Sequence, residues 1–154
     1  MSTPPPHAPK TPRRKAREDA LQILYQLDLN QGLTPEAGLY HYENHFTRQP
    51  APAEGIDPFT QRLVTGVMRH LKELDATIEE ASDNWRMGRM PAVDRNILRL
   101  GAFELQHCDD IPATVTINEM IEVAKQFGAE SSPSFINGIL DKLKSTVTRP
   151  GKVP

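Results

Sequence analysis

The chain has a single cysteine, Cys108, in 154 residues, so it can form no internal disulfide and no cysteine-rich zinc site. That scarcity excludes a secreted disulfide scaffold and fits a reducing compartment. No uninterrupted apolar run approaches the roughly 20 residues that span a bilayer. The first dozen residues hold five prolines where a signal peptide would carry an apolar stretch. A cytoplasmic protein with no membrane contact is expected. Nucleotide motifs are missing too: there is no G-x-x-x-x-G-K-[ST] and no G-x-G-x-x-G, so nothing supports nucleotide hydrolysis or a dinucleotide cofactor.

The remaining candidates for chemistry are thin. His41 and His45 have the i, i+4 spacing that puts two ligands on one helical face, but Tyr42 stands where a zincin motif has glutamate, and no third ligand is evident. A solvated helix face accounts for them. His107 beside Cys108 is adjacency in sequence and not the spatial pairing that activates a thiolate, so a structural thiol is expected. Glu79 with Glu80, and Asp109 with Asp110, read as solvated acidic surface. No catalytic residue, no cofactor and no metal site is predicted.

What the sequence does contain is segregated charge. The net charge of −2 argues against binding through bulk positive charge. Yet Lys10, Arg13, Arg14, Lys15 and Arg17 fall in the first 17 residues with no acid among them, and the other 13 cations face 20 acids. The average conceals a +5 arm on a −7 body.

The body reads as all-α. Thr11-Pro12, Thr34-Pro35, Asp57-Pro58 and Ser132-Pro133 each pair an N-cap with a proline suited to the first helical position. Thr116 and Glu119 have the spacing of a capping box. Gly32, Gly88 and Gly128 follow periodic segments, as left-handed helix-ending residues do. Apolar residues recur at spacings of three and four, as in Phe59, Leu63, Val67, Leu71, Leu74, Ile78 and Ala81. About seven helices are expected, near 12–31, 35–48, 58–74, 75–87, 91–108, 116–128 and 132–148, with a break at Leu74–Asp75. Residues 1–11 read as a proline-rich basic tail, 12–148 as one helical domain and 149–154 as a loose tail.

Two features point to nucleic acid. Arg13, Arg14, Lys15 and Arg17 occupy the first turns of the first helix, where cations oppose the helix dipole. Phosphates would supply compensating charge to arginine forks; the alternative is a solubilising, frayed terminus. The second feature is the junction Lys125-Gln126-Phe127-Gly128-Ala129-Glu130-Ser131-Ser132, which leads into a helix whose free N–H groups suit a phosphate. Phe127 and Phe135 there either stack on unpaired bases or belong to the core. Gly138 would let another helix or a ligand approach.

The stretches RRKAREDALQILY (13–25), PAVDRNILRLGAFEL (91–105) and IPATVTINEMIEVAKQFGAESSPSFINGILDKL (111–143) resemble the NusB family of bacterial transcription antitermination and rRNA-processing factors. The second block is similar to the family's fifth helix and the third to its last two. The resemblance implies two packed helical subdomains without catalytic activity. It also implies binding of the single-stranded boxA element of nascent rRNA transcripts together with NusE, a small-subunit ribosomal protein. Other antitermination factors and RNA polymerase would be reached indirectly. Carried over by position, Arg13, Arg14, Arg17 and the Phe127–Phe135 junction would touch RNA, and Tyr25 and Asp94 would lie on the RNA and NusE faces. The expected RNA-binding set is thus Arg13, Arg14, Lys15, Arg17, Lys125, Gln126, Phe127, Gly128, Ser131, Ser132 and Phe135. Ser131 and Ser134 depart from the pattern, standing where some members carry an acid and a lysine.

Two other readings stand beside this one. The first is a helical module that binds only protein, like the NusB-like domain attached to rRNA methyltransferases. The second is a small metal-dependent enzyme using His41 and His45.

Overall fold

The computed structural model describes residues 11–30, 36–40 and 55–147. The helices are α1 (Pro12–Leu29), α2 (helical over 36–40), α3 (Pro58–Arg69), α4 (Leu71–Ala81), α5 (Ala92–His107), α6 (Ala113–Phe127) and α7 (Ser132–Thr146), with a 3-10 turn at Met87–Arg89. No strand occurs among the described residues. Residues 1–10 and 149–154 of the expected tails, the Thr34-Pro35 pair, Gly32, His41 and His45 lie outside them, while Thr11 belongs to the start of α1.

Two of the expected caps form. The Thr11 hydroxyl oxygen accepts the Arg14 N–H at 3.1 Å, and the Asp57 carboxylate accepts the Phe59 N–H at 2.7 Å. Each satisfies one of the donors a helix start leaves open, an interaction of about 1 kcal/mol. The other two signals lead elsewhere. α6 begins at Ala113, so Thr116 and Glu119 lie inside the helix and form no capping box. α7 has Ser131 at its N-cap without a side-chain cap, and Ser132 already lies in the first turn.

The break in the long apolar stripe falls at His70 and not at Leu74–Asp75. His70 leaves helical geometry (φ −108°, ψ 20°) while its N–H still bonds the Gly66 carbonyl. The cause is tertiary. Its ring stacks on Phe103 and His107 of α5 with centroids 6.3 and 4.0 Å away, and a Cβ on Gly66 would lie 2.1 Å from Phe103 Cζ. α3 thus meets α5 at closest approach where the chain turns. α4 also ends early, at Ala81, because Asp83 (φ 57°) and Asn84 (φ 66°) adopt left-handed conformations, which their short polar side chains tolerate. The glycines expected in that role are otherwise placed. Gly88 lies in the 3-10 turn, and Gly128 is extended at φ −93°, ψ −176°.

α5 is the axis of the fold. It packs on α1, α3, α4, α6 and α7, and those five also touch in sequence around it, α1 on α3, α3 on α4, α4 on α7, α7 on α6 and α6 on α1. A helix enclosed on all sides must be apolar all round or pair its polar groups. Residues Asn96 to Leu105 are accordingly all buried. The polar exceptions tie the ring to the axis: Arg99 grips Asp75 of α4 at 2.8 and 2.9 Å, and Glu104 takes Arg17 of α1 and Thr116 of α6. One continuous hydrophobic core runs through the described helices.

Candidate nucleic-acid interface

Four cations spread over five consecutive helical positions cannot share a face, because each residue advances about 100° around the axis. α1 divides them. Arg17 points inward and is 2% exposed, and its Nε and Nη2 donate to the two Glu104 carboxylate oxygens at 2.7 and 2.8 Å. Thr116 Oγ1 donates to the same carboxylate at 2.9 Å. Arg14, half-buried, makes the same two-pronged contact with Glu119 of α6, at 2.8 and 3.0 Å. The hydrogen bond from Arg14, reinforced by its charge and that of Arg17, holds the Glu119 carboxyl below its ordinary range and raises Arg14 in return.

The charge that offsets the dipole cost of Arg14 and Arg17 is therefore internal. A phosphate reaching Arg17 would have to displace a buried carboxylate. Arg13 and Lys15 remain on the surface. The Arg13 guanidinium lies over the Phe59 ring, 4.4 Å from its centroid, and 3.9 Å from Asp110. Asp110 is itself held by Arg62, whose hydrogen bond keeps that carboxyl below its ordinary range. Lys15 reaches Asp19 at 2.6 Å.

The junction between α6 and α7 is built around Ser132. Its buried hydroxyl accepts the Ala129 N–H at 2.9 Å and donates to Asp94 Oδ1 at 2.7 Å. Asp94, 5% exposed in the first turn of α5, thereby fixes the loop from behind. Gly128 is needed here, since a Cβ would stand 2.6 Å from that of Ser132. Lys125, Gln126 and Ser131 are exposed, with Lys125 near Glu122 at 3.1 Å, while Phe127 and Phe135 are half-buried against the core. The α7 N-terminus is less open than a free helix end. The Ser132 N–H bonds the Ala129 carbonyl and Pro133 has none to offer. A Cβ on exposed Gly138 would meet nothing within 4 Å, so none of the described helices uses the gap.

Arm and junction occupy two ends of one seam. Arg14 meets Glu119 at one end; at the other, Tyr25 and Phe127 line a shallow depression with Leu21, Gln22, Gln26 and Val93. Eleven residues of helix separate Arg14 from Tyr25, roughly 16 Å. Tyr25 is 37% exposed there, and Val93 places the first turn of α5 at the same edge.

Sequence reasoning passed over two clusters. One is Trp85, the single tryptophan, 54% exposed and edge-on to Phe135, with Asn84, Arg86 and Arg89 around a depression. Its signal was an isolated tryptophan with Arg86 and Arg89 close by in the sequence. The other is His70, Glu73 and His107, with one ligand-type atom each within 4.8 Å of the others. The two imidazoles lie nearly parallel, 17° apart, so their in-plane lone pairs run side by side and do not converge. As placed they form a ring stack bordered by Glu73.

The family model of the NusB family matches residues 14–145. The chain is 49% identical over 140 residues to the transcription antitermination protein NusB of Geobacter sulfurreducens, covering 90% of this chain and 98% of that protein. It is 44% identical over 141 residues to that of Myxococcus xanthus, with the same coverage of both. Among solved structures, T. maritima NusB superposes with a TM-score of 0.74 at 34% identity, covering 88% of this chain and 92% of the other. A crystal structure of antitermination factors NusB and NusE in complex with dsRNA gives 0.71 at 27%, covering 87% and 96%.

Proposed function

The chain belongs to the NusB family, and from that premise we propose that it is a transcription antitermination factor. In this reading it binds the single-stranded boxA element of nascent rRNA transcripts together with NusE, and reaches RNA polymerase through other antitermination factors. It holds partners together and catalyses nothing, and it works in the cytoplasm. No described helix is long and apolar enough to cross a membrane. The observation that carries the reading is the placement of the basic arm and the Phe127–Phe135 junction at two ends of the α1–α6 seam. A related NusB has been crystallised with NusE and double-stranded RNA; half-buried aromatics at the junction favour unpaired bases for this chain.

The residues divide by role. Arg13 and Lys15 meet phosphates, with the exposed edge of Arg14 beside them. Lys125, Gln126 and Ser131 supply polar contacts, and Phe127 and Phe135 stack. Arg17, Gly128 and Ser132 shape these surfaces from beneath. Tyr25 belongs to the partner face, and Asp94, one residue from Val93 of that face, holds the junction loop through Ser132. The rival reading, a protein-binding module of a methyltransferase, is disfavoured because the relatives the chain matches at 44 and 49% identity are transcription antitermination proteins.

The test is binding of a boxA-type RNA at several salt concentrations, with and without NusE. Arg13→Ala with Lys15→Ala should weaken binding and reduce the salt slope by about 0.7 for each phosphate no longer neutralised. Unchanged affinity and slope would remove the arm from the interface. Arg17 is unsuitable for this test, because removing it would take the guanidinium from the buried Glu104 carboxylate.

A further inference from the structure

The loop after α4 carries the features of a nucleotide-binding platform that neither the arm nor the junction accounts for. Trp85 is more than half exposed, and its edge-on contact with Phe135, centroids 5.9 Å apart at 65°, covers at most one face of the indole. Beside it stand Arg86 and Arg89, both exposed, lining the same depression with Asn84. Neither makes an ion pair among the described residues, whereas Arg14, Arg17, Arg62, Arg95 and Arg99 are each matched to a carboxylate. Two unmatched guanidinium groups next to an open aromatic face want an anion and a flat ring together.

The loop is also held by hydrogen bonds at several points. The Glu79 carbonyl accepts the Asn84 N–H at 2.8 Å and the Glu79 carboxylate accepts the Met87 N–H at 3.0 Å. The Ser82 hydroxyl lies 3.0 and 3.2 Å from the Glu79 and Trp85 carbonyls. Arg95 donates to the Met90 carbonyl at 3.1 Å, and the side chains of Met87 and Met90 are buried. Asp83 reaches Lys142 of α7 at 3.3 Å, a surface ion pair between the loop and the helix that carries Phe135. An indole displayed on such a support loses little freedom on binding.

We propose that Trp85, Arg86 and Arg89 form a second single-stranded RNA contact, in which a base stacks on the Trp85 indole and adjacent phosphates are held by the two arginines. Phe135 joins this site to the α6–α7 junction, so one strand crossing the junction continues onto the loop. The proposal rests on the RNA-binding reading. Its expected selectivity is low, since every base offers a stacking face and arginine reads phosphate without regard to sequence.

Because Trp85 is the single tryptophan, its intrinsic fluorescence reports this site alone. The full chain is titrated with boxA-type RNA extended by several nucleotides at either end, with and without NusE, while anisotropy of the labelled RNA reads total binding. Tryptophan quenching that saturates together with anisotropy is expected. Trp85→Ala should weaken binding roughly tenfold and Trp85→Phe much less. Arg86→Ala with Arg89→Ala should lower the salt slope by about 1.4. All three side chains are exposed, and thermal unfolding verifies that the variants fold. Anisotropy showing binding while emission, affinities and slope stay unchanged overturns this inference and leaves the main reading standing. Emission that answers NusE but not RNA reassigns the loop to a protein contact and overturns it too. Absence of RNA binding in every arm overturns both.

Discussion

Arg13, Arg14 and Arg17 look equivalent in the sequence, but the fold makes them unequal, and stability measurements can separate them. Arg17→Ala would strand the Glu104 carboxylate, at 0% exposure, without its guanidinium partner. Breaking a buried ion pair from one side typically costs about 3–5 kcal/mol, because the remaining charge stays desolvated. Against a total stability of roughly 5–15 kcal/mol that is a large fraction. With a urea slope near about 2 kcal/mol/M, the unfolding midpoint should fall by about 2 M. Arg13→Ala, at an exposed site, should stay within about 0.5 kcal/mol of the parent. Replacing both buried partners with apolar residues of similar size, Arg17→Met with Glu104→Leu, should recover most of the loss. Urea unfolding followed by circular dichroism measures all four proteins. An Arg17→Ala midpoint within about 0.5 M of the parent would refute the assignment of Arg17 to the interior.

Packing and charge each lead to a further outcome. Gly66→Ala should destabilise by about 1–2 kcal/mol even though alanine favours a helix by about 1 kcal/mol, since the new methyl would sit 2.1 Å from Phe103 Cζ and Phe103 is confined by His70 and His107; a stabilised variant in thermal unfolding would show that α3 and α5 are less close. Acid should also weaken the fold. Glu119 is held low by Arg14. For Asp28, burial pushes the carboxyl up, but hydrogen bonds from Arg95 and Asn96 and the charges of Arg99 and Arg95 outweigh it, so it too titrates below its ordinary value. The unfolded chain then binds more protons, so this stability is fully present above about pH 4.5 and is lost as pH falls through the depressed values. Urea midpoints should therefore drop between about pH 5 and pH 3, and a midpoint that holds or rises over that interval contradicts the pairing.

Local signals are legible wherever one residue and its near neighbours decide the outcome. Thr11 and Asp57 cap the helices their sequence announces, and the apolar stripes face the core at the spacings that define them. What depends on a partner far along the chain is not legible. Arg17 and Glu104 stand 87 residues apart, so the compensation of the arm's charge by α5 and α6 is invisible until the helices are packed. Thr116 and Glu119 have the spacing of a capping box, yet both serve that distant network. The bend at His70 is set by aromatic contacts with α5, and the left-handed turn uses Asp83 and Asn84 although a glycine lies close by. The junction is recognisable as a site from its residues, but its internal design is not. Ser132 reads as a cap or a contact, and only the fold shows it buried between Ala129 and Asp94.

Whether RNA lies along the α1–α6 seam and across the α6–α7 junction is tested most directly by an NMR titration of the isotope-labelled chain with boxA-type RNA, following every backbone amide. Shifts should concentrate in residues 11–25 and 125–138, with the start of α3 that touches Arg13, and extend to the Trp85 loop, while the last turn of α3 and the first turns of α4 stay unchanged. Shifts confined to α3 and α4, with the arm and the junction silent, would contradict that placement.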